Sequence, residues 1–514
     1  RNLAASQIQI GDLLVERGLA GDDETALRHY RSALGKYRKI QRLKEFRVEG
    51  ASQISLIQAK IGDLLWRFGG GNETFGLRYF QASLSINRYL YRRGFVDAEI
   101  AGNLLLSHLR VGDFYMLPHL VDSDDANRAR EEYQAALKIA EDLKRRHQDS
   151  SQIARYVTIS QGRLGDFHIR WREAAAGKKG LIQVGSPDEA LAYLKAALDG
   201  YEALFVSDRK SAQAASDLLD CQIRLGDFYR ERDSDSQVMH RLFGRLHWER
   251  ELLGDAEQAL GYYELALKTA EDFYARSPER PYILRDISLV HQRIGDVYLQ
   301  RGSADDFERA LRHLQSALGM SELFYKRNPY RADAACRLSH SQERLGDFFA
   351  RRDLIGDAER ALEHYDAALA SAEEFYERNP DSPKAARELS KAHERRASFH
   401  LRQNEIGDVE RARTHLEVAL STAQRFYQAH PGRWAAHRNL TYWQIHLADI
   451  FLEYFGDLKR FNAYVEAWEQ TEKEASGEYQ YDRTLPRPIG PQQLYQDFMR
   501  KIAKQIGAIT NLWR

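Results

Sequence analysis

The chain has 514 residues, enough for about three or four ordinary globular domains or for one continuous repeat array. Its 75 Lys plus Arg balance 75 Asp plus Glu, which excludes a whole-molecule field that would select a nucleic-acid polyanion or an anionic membrane as the main partner. With 43% hydrophobic and 29% charged residues and only 11 prolines, the composition suits long, solvent-exposed helices better than strands and turns.

Two cysteines, Cys221 and Cys336, stand far apart and outside any CxxC spacing, so neither a disulfide framework nor a thiolate zinc site is indicated. A reducing, cytoplasmic setting is the simpler expectation. No run of about eighteen apolar residues is present, so no membrane-spanning helix and no membrane partner are expected. The first residue is Arg1 rather than Met, which leaves open a signal peptide or a further domain upstream.

A phrase of aliphatic residue, Gly and Asp recurs along the chain. It occurs as Ile10-Gly11-Asp12, Ile61-Gly62-Asp63, Val111-Gly112-Asp113, Leu164-Gly165-Asp166, Leu225-Gly226-Asp227, Ile294-Gly295-Asp296 and Leu345-Gly346-Asp347. Degenerate copies follow at Arg396-Ala397-Ser398 and Leu447-Ala448-Asp449. Successive small residues lie 51, 50, 53, 61, 69, 51, 51 and 51 apart, so a unit of about 51 residues is present nine times.

A second phrase follows the first, as in Ala26…Tyr30…Ala33, Ala259…Tyr263…Ala266 and Ala361…Tyr365…Ala368, a small, large, small stripe at helical spacing. In the clearest unit, 331–380, the spacing predicts one helix with Ala335, Leu338, Gln342, Leu345 and Phe349 on a face. A second helix carries Ala361, Leu362, Tyr365, Ala368, Leu369, Ala372 and Phe375. Gly356-Asp357 between them reads as a helix stop followed by a start, and Asn379-Pro380 as the end of the second helix. Glycine inside a helix costs roughly 0.5–1 kcal/mol against alanine, so its repeated use implies a contact where helices approach to about 8 Å. The glycines and the alanine stripes are therefore assigned to the core.

In its order of parts this pattern resembles the tetratricopeptide (TPR) repeat family. A small Gly follows Leu in helix A, an aromatic comes three residues later (Phe349, Tyr298, Tyr229, Tyr115), and Ala, a bulky residue and Ala follow on helix B, then Pro. The departure is length, because the family's usual unit is about 34 residues. The resemblance implies an all-α fold, an α-solenoid of about nine elongated TPR-like helical hairpins closed by a C-terminal capping helix. The expected organisation is an array over 1–474 with insertions near 171–187 and 232–253, a Pro-rich linker over 475–491, and a capping or docking helix over 492–514. That last helix carries Leu494, Tyr495, Phe498, Ile502 and Ile506 at helical spacing and offers a route to a homo-oligomer.

The resemblance also implies a non-catalytic scaffold or sensor module that binds a protein or peptide partner. Similar elongated repeats occur in bacterial proteins attached to signalling, protease-like or nucleotide-hydrolysing domains, so a regulatory part of such an enzyme is the alternative. Within the array, stacking of the TPR kind directs Asp166, Asp227, Asp296 and Asp347 to the concave groove, where they would meet a basic peptide. The plainer reading pairs each with the basic residue three positions earlier, such as Arg163, Arg224, Arg293 or Arg344. The second insertion supplies Arg241, Phe243, Arg245 and Trp248, basic and aromatic residues alternating as in an amphipathic contact segment. Gly177-Lys178-Lys179-Gly180 in the first insertion lacks the order of a nucleotide loop and reads as a flexible loop. The 17 histidines fall in no HExxH motif and beside no nucleophile elbow, so no catalytic residue, metal or cofactor is expected.

Overall fold

The computed structural model describes residues 2–17, 22–42, 47–68, 72–95, 97–116, 123–147, 150–176, 186–243, 249–403, 407–430, 434–455 and 458–478. Among them it contains eighteen helices, which pair in chain order as nine antiparallel hairpins. These are α1 (Asn2–Arg17) with α2 (Asp22–Ile40), α3 (Arg47–Phe68) with α4 (Asn72–Arg92), and α5 (Ala98–Tyr115) with α6 (Ser123–Arg146). Next come α7 (Ser151–Ala176) with α8 (Pro187–Ser207), α9 (Ala212–Phe243) with α10 (Glu249–Arg276), and α11 (Ile283–Arg301) with α12 (Ala304–Arg327). The last are α13 (Ala332–Arg352) with α14 (Asp357–Arg378), α15 (Pro383–Gln403) with α16 (Asp408–Ala429), and α17 (Trp434–Phe455) with α18 (Leu458–Glu478). None of these helices is long and apolar enough to cross a membrane. The linker and capping helix expected over 475–514 lie outside the described residues, apart from the end of α18.

Each hairpin packs on the next through consecutive helices. The odd-numbered helices also touch one another across repeats, α13 with α15 and α11 with α13 among them. The odd helices therefore line the inner, concave side, as the TPR resemblance implies. Arg331, in the turn before α13, donates to the backbone carbonyls of Glu16 and Arg17 at 3.2 Å, so the superhelix meets its own start after six hairpins.

The seam within a hairpin shows why the glycines stand where they do. The first alanine of each helix-B phrase is fully buried, as Ala26, Ala259 and Ala361 illustrate. The bulky residue between the alanines packs onto the helix-A glycine, by its ring where it is Tyr or Phe and by its branched end where it is Leu194 or Leu314. A Cβ built on Gly226 would lie 2.5 Å from Tyr263 Cε1, one on Gly62 2.4 Å from Phe80 Cε1, and one on Gly112 2.6 Å from Tyr133 Cε1. The glycine thus makes room for a large residue rather than facing the alanines. The second hairpin follows the same rule with Gly76, Phe80 and Ser83 in the helix-B slots, a variant that the alanine pattern does not reveal.

The aromatic three residues after the glycine has a partner of its own. It stacks on the residue just before the bulky one: Phe349 on His364 at 5.6 Å between ring centroids, Tyr298 on His313 at 5.9 Å, Tyr229 on Tyr262 at 5.7 Å. This gives a packing reason for histidine to recur at that helix-B position.

Turn chemistry departs from expectation in one respect. Helix α13 stops not at Gly356 but at Asp353, which adopts a left-handed φ of 54°, while Gly356, with φ 82°, precedes α14 as its N-cap residue. Asp357 then locks the turn. Its buried carboxylate takes two bonds from Arg352, Nε at 2.8 Å and Nη2 at 2.6 Å, and a third from the Leu354 N–H at 3.0 Å. Arg17 with Asp22 and Arg301 with Asp306 repeat the clamp in other hairpins. Helices α10, α12, α14 and α16 end just before or one residue before Ser277-Pro278, Asn328-Pro329, Asn379-Pro380 and His430-Pro431.

Candidate functional site: the inner groove

The repeated aspartates from Asp12 to Asp347 sit on the inner side of their odd helices, and their main partner is not the basic residue three positions earlier on the same helix. The cation three positions before the aspartate of one repeat reaches the aspartate of the preceding repeat. Lys60 meets Asp12 at 2.7 Å, Arg110 meets Asp63 at 2.9 Å, Arg163 meets Asp113 at 3.0 Å, and Arg224 meets Asp166 at 2.9 Å. Arg293 meets Asp227 at 3.3 Å, and Arg344 pairs with Asp296. Arg163 is the exception that also reaches its own Asp166, at 3.6 Å. The local pairing expected from sequence is thus replaced by a ladder that crosses repeat boundaries. A helix spacing of three places two groups on one face, but the neighbouring repeat brings a carboxylate nearer.

Where helix B supplies tyrosine, the same carboxylate takes a phenol hydrogen bond. Tyr263 donates to Asp227 at 2.6 Å, Tyr365 to Asp347 at 2.6 Å, Tyr133 to Asp113 at 2.8 Å and Tyr30 to Asp12 at 2.7 Å. Burial first, and the aspartate charge second, push the Tyr263 and Tyr365 phenols up, so they remain donors at any physiological pH. One tyrosine therefore serves as glycine filler and carboxylate anchor together. Tyr263→Phe is expected to cost about 1–2 kcal/mol in denaturant melting while leaving the helical circular-dichroism signal intact, since one bond to a charged acceptor is lost and no cavity is made.

Among the described residues, cavities open on this face, two of them lined by the rungs of the ladder. The larger, about 450 Å³, is lined by Trp66, Phe80, Met116, Tyr133 and Phe167 together with the Arg110–Asp63 and Arg163–Asp113–Asp166 pairs. The smaller, about 240 Å³, lies between Arg230, Asp296, Leu299, Gln300, Arg344, Asp347 and Arg351. Of the sequence-derived groove residues, Asp166 lines the first and Asp296 and Asp347 share the second. Asp227 is held by Tyr263, Arg293 and Arg230. Trp66 and Met116 escape notice in the sequence because the position four residues after the glycine varies from unit to unit, with Val15, Ile169, Arg230, Leu299 and Ala350 in the others. The side chain of Asp449 is not among those described.

The insertion residues are placed less fully. Arg241 and Phe243 fall on the last turn of α9, which runs on into the second insertion, whereas Arg245 and Trp248 lie outside the described residues. Gly177-Lys178-Lys179-Gly180 also lies outside them. The two thiols, Cys221 and Cys336, are pushed up to about 12 by burial and stay protonated.

Fold and groove together define an all-α solenoid of TPR-like hairpins with a charged concave face. No family model and no curated protein matches the sequence. Among solved structures the chain is similar to a Rap protein complexed with competence and sporulation factor, at 13% identity over 93% of this chain and 100% of that one, with a TM-score of 0.38. It is also similar to an IFIT1 monomeric mutant with m7Gppp-AAAA, at 12% identity over 88% and 87% of the two chains (TM-score 0.34). A thermophilic TPR protein of Thermus thermophilus is 17% identical over 49% of this chain and 92% of that one (TM-score 0.27).

Proposed function

We propose that this chain is a non-catalytic scaffold or sensor module that holds a protein or peptide partner along its inner groove. The observation that carries the reading is the continuous concave face of odd helices, on which a pocket of about 450 Å³ sets aromatic walls beside charged rungs. An apolar pocket with a few convergent polar groups is the usual form of a recognition site. It suits a bulky side chain of a bound peptide, with the ion pairs at its rim reading the flanking residues. Asp166, Asp227, Asp296 and Asp347 take part as rungs whose charge is already shared with arginine and tyrosine. A partner would compete for these arginines and tyrosines as much as for the carboxylates.

Peptide display against the full chain tests this. Selected peptides should bind with affinities weakened by Asp166→Asn, Asp227→Asn, Asp296→Asn and Asp347→Asn combined, or by Met116→Trp, which fills the pocket. A desolvated charged contact is worth about 1.5–3 kcal/mol, so the loss should be tenfold or greater. Selected peptides that ignore every inner-face substitution, or failure to select any, would remove the groove from consideration.

A further inference from the structure

We propose that the outer face of α1, the first helix of the array, is a docking surface for one amphipathic helix of a partner chain, built like this chain's own even-numbered helices. The proposal goes beyond the groove reading and does not rest on it.

Leu3, Ser6, Ile10 and Leu13 stand three or four residues apart and form one stripe along α1. The stripe is open. Leu3, Ile10 and Leu13 are 64%, 42% and 64% exposed, and Ser6 is exposed among them. These positions lie eight, five and one residues before the repeat glycine and two after it, and in interior helices they are covered. Their counterparts Ile54, Ile57, Ile61 and Leu64 on α3 are at most 4% exposed, and Leu338, Ser341, Leu345 and Phe348 on α13 at most 9%. Helix α1 thus has the side chains of an interior helix in a terminal place. Solenoids normally put polar residues on an end face, and an open apolar stripe there marks a contact site.

The cover used inside the array identifies the partner. There the preceding even helix lies on the stripe through three recurring contacts. A leucine of the even helix shares an apolar cluster with the position eight before the small repeat residue, Leu34 with Ile54, Leu84 with Leu104 and Leu369 with Leu389. A small residue three further on meets the position five before it: Ser321 bonds Ser341 at 2.7 Å, and Ala372 shares a cluster with Ala392. An aromatic nearer the start of the even helix lies on the position two after it, Phe307 on Phe348 with centroids 6.2 Å apart and Tyr365 on Phe399 at 5.5 Å. On α1 the described residues supply none of these contacts. A helix with an aromatic, then a leucine, then a small residue three positions beyond the leucine completes them.

A second copy of this chain does not fit. Its helices α2 to α16 of even number each pack against the odd helix that follows, which leaves α18 to offer a side. In α18, Trp468 and Thr471 are buried as the large and small residues of the seam. The next position is leucine in the other eight even helices, Leu34, Leu318 and Leu420 among them, but Glu472 here. Head-to-tail stacking of copies would bring that carboxylate to Leu3, where no cation answers it.

Fluorescence anisotropy of the full chain with a labelled peptide copying residues 304–327, the α12 sequence, provides the test. The peptide should bind with little dependence on salt, and a form stapled on its polar face, which spares the cost of ordering a free helix, should bind more tightly. Leu318→Glu in the peptide, or Leu3→Glu plus Leu13→Glu in the chain, should weaken binding at least tenfold, because each sets a charge in an apolar contact. Leu3 and Leu13 are exposed, so melting curves of the doubly substituted chain should match the parent's. Binding of neither peptide form, or binding that ignores Leu3→Glu plus Leu13→Glu, would overturn the proposal. So would sedimentation equilibrium showing the chain alone to be a dimer that these two substitutions dissociate, since the stripe would then belong to a second copy. Display-selected groove peptides keep the two readings apart, because they should bind the Leu3→Glu plus Leu13→Glu chain undiminished whether or not the α12 peptide binds.

Discussion

Gly226→Leu is expected to destabilise the array by about 3 kcal/mol or more, at the upper end of the overpacking range. A Cβ at this position already falls 2.5 Å from Cε1 and 2.7 Å from Cδ1 of Tyr263, and the ring has no room to retreat. Its hydroxyl is tied to Asp227 on the same helix as the glycine, and Ala259 and Ala266, one turn to either side, are fully buried. Even Gly226→Ala should cost more than a typical surface change. Two other glycines calibrate the effect. At Gly295 the opposing residue is Leu314, 3.2 Å from the built Cβ, so Gly295→Ala should be tolerated better. At Gly319, also within a helix, nothing lies within 4 Å, and Gly319→Ala should stabilise by about 0.5–1 kcal/mol through helix propensity alone. Urea melts of the three alanine variants should rank in that order. Equal costs at Gly226 and Gly319 would mean that the glycine is not the seat of the tyrosine ring. Because each hairpin touches mainly its neighbours, Gly226→Leu should also broaden the transition before the whole array melts.

The parts of the fold legible in the sequence are those whose reason lies within one hairpin. Gly346, Ala361, Tyr365 and Ala368 can be read as a helix seam because both halves of the contact sit within about twenty residues and recur. What each seam residue touches is not legible. Spacing shows that Gly346 must be small, yet only the structure shows a tyrosine ring there rather than an alanine. The aspartate ladder is misassigned from sequence for a related reason. Arg224 lies three residues before Asp227, and sequence reasoning stops at that distance, but stacking brings Asp166, fifty-eight residues away, to 2.9 Å. Asp353 carries no signal for a left-handed helix end when a glycine stands three residues later.

Acidification from about pH 6.5 to 4 is expected to unfold the chain progressively through two buried histidine pairs. His291 on α11 and His313 on α12 face each other with Nδ1 atoms 3.0 Å apart, and His393 on α15 and His415 on α16 repeat the arrangement at 3.0 Å. Such a pair shares one hydrogen, so one ring donates while the other accepts, and both rings are neutral. Burial is the first cause that holds His291, His393 and His415 down at about 4, and it lowers His313 as well. Neighbouring positive charge adds to it: His313 acts on His291, Arg312 on His313, and His393, Arg396 and His400 on His415. The unfolded chain titrates near the ordinary value of about 6.5. Between those limits the unfolded state binds more protons, so stability is complete above about pH 6.5 and is lost as the pH falls toward 4. The repeat between the two pairs supplies the control. At the position equivalent to His291 and His393 it carries Gln342, which is bonded to His364 Nδ1 at 2.9 Å. His291→Gln with His393→Gln should therefore keep the helix contact and a near-normal melting temperature at pH 7.5, yet lose much of the decline between pH 6.5 and 4. Below about pH 4 a different group takes over. Asp357, held below the usual carboxylate range first by its bonds from Arg352, contributes stability above its unfolded value of about 3.9 and loses it as the pH falls further. In that lower window the variant and the parent chain should fall in parallel. A parent melting temperature that stays level from pH 7 to 4.5 would show that these histidines are not buried as neutral pairs.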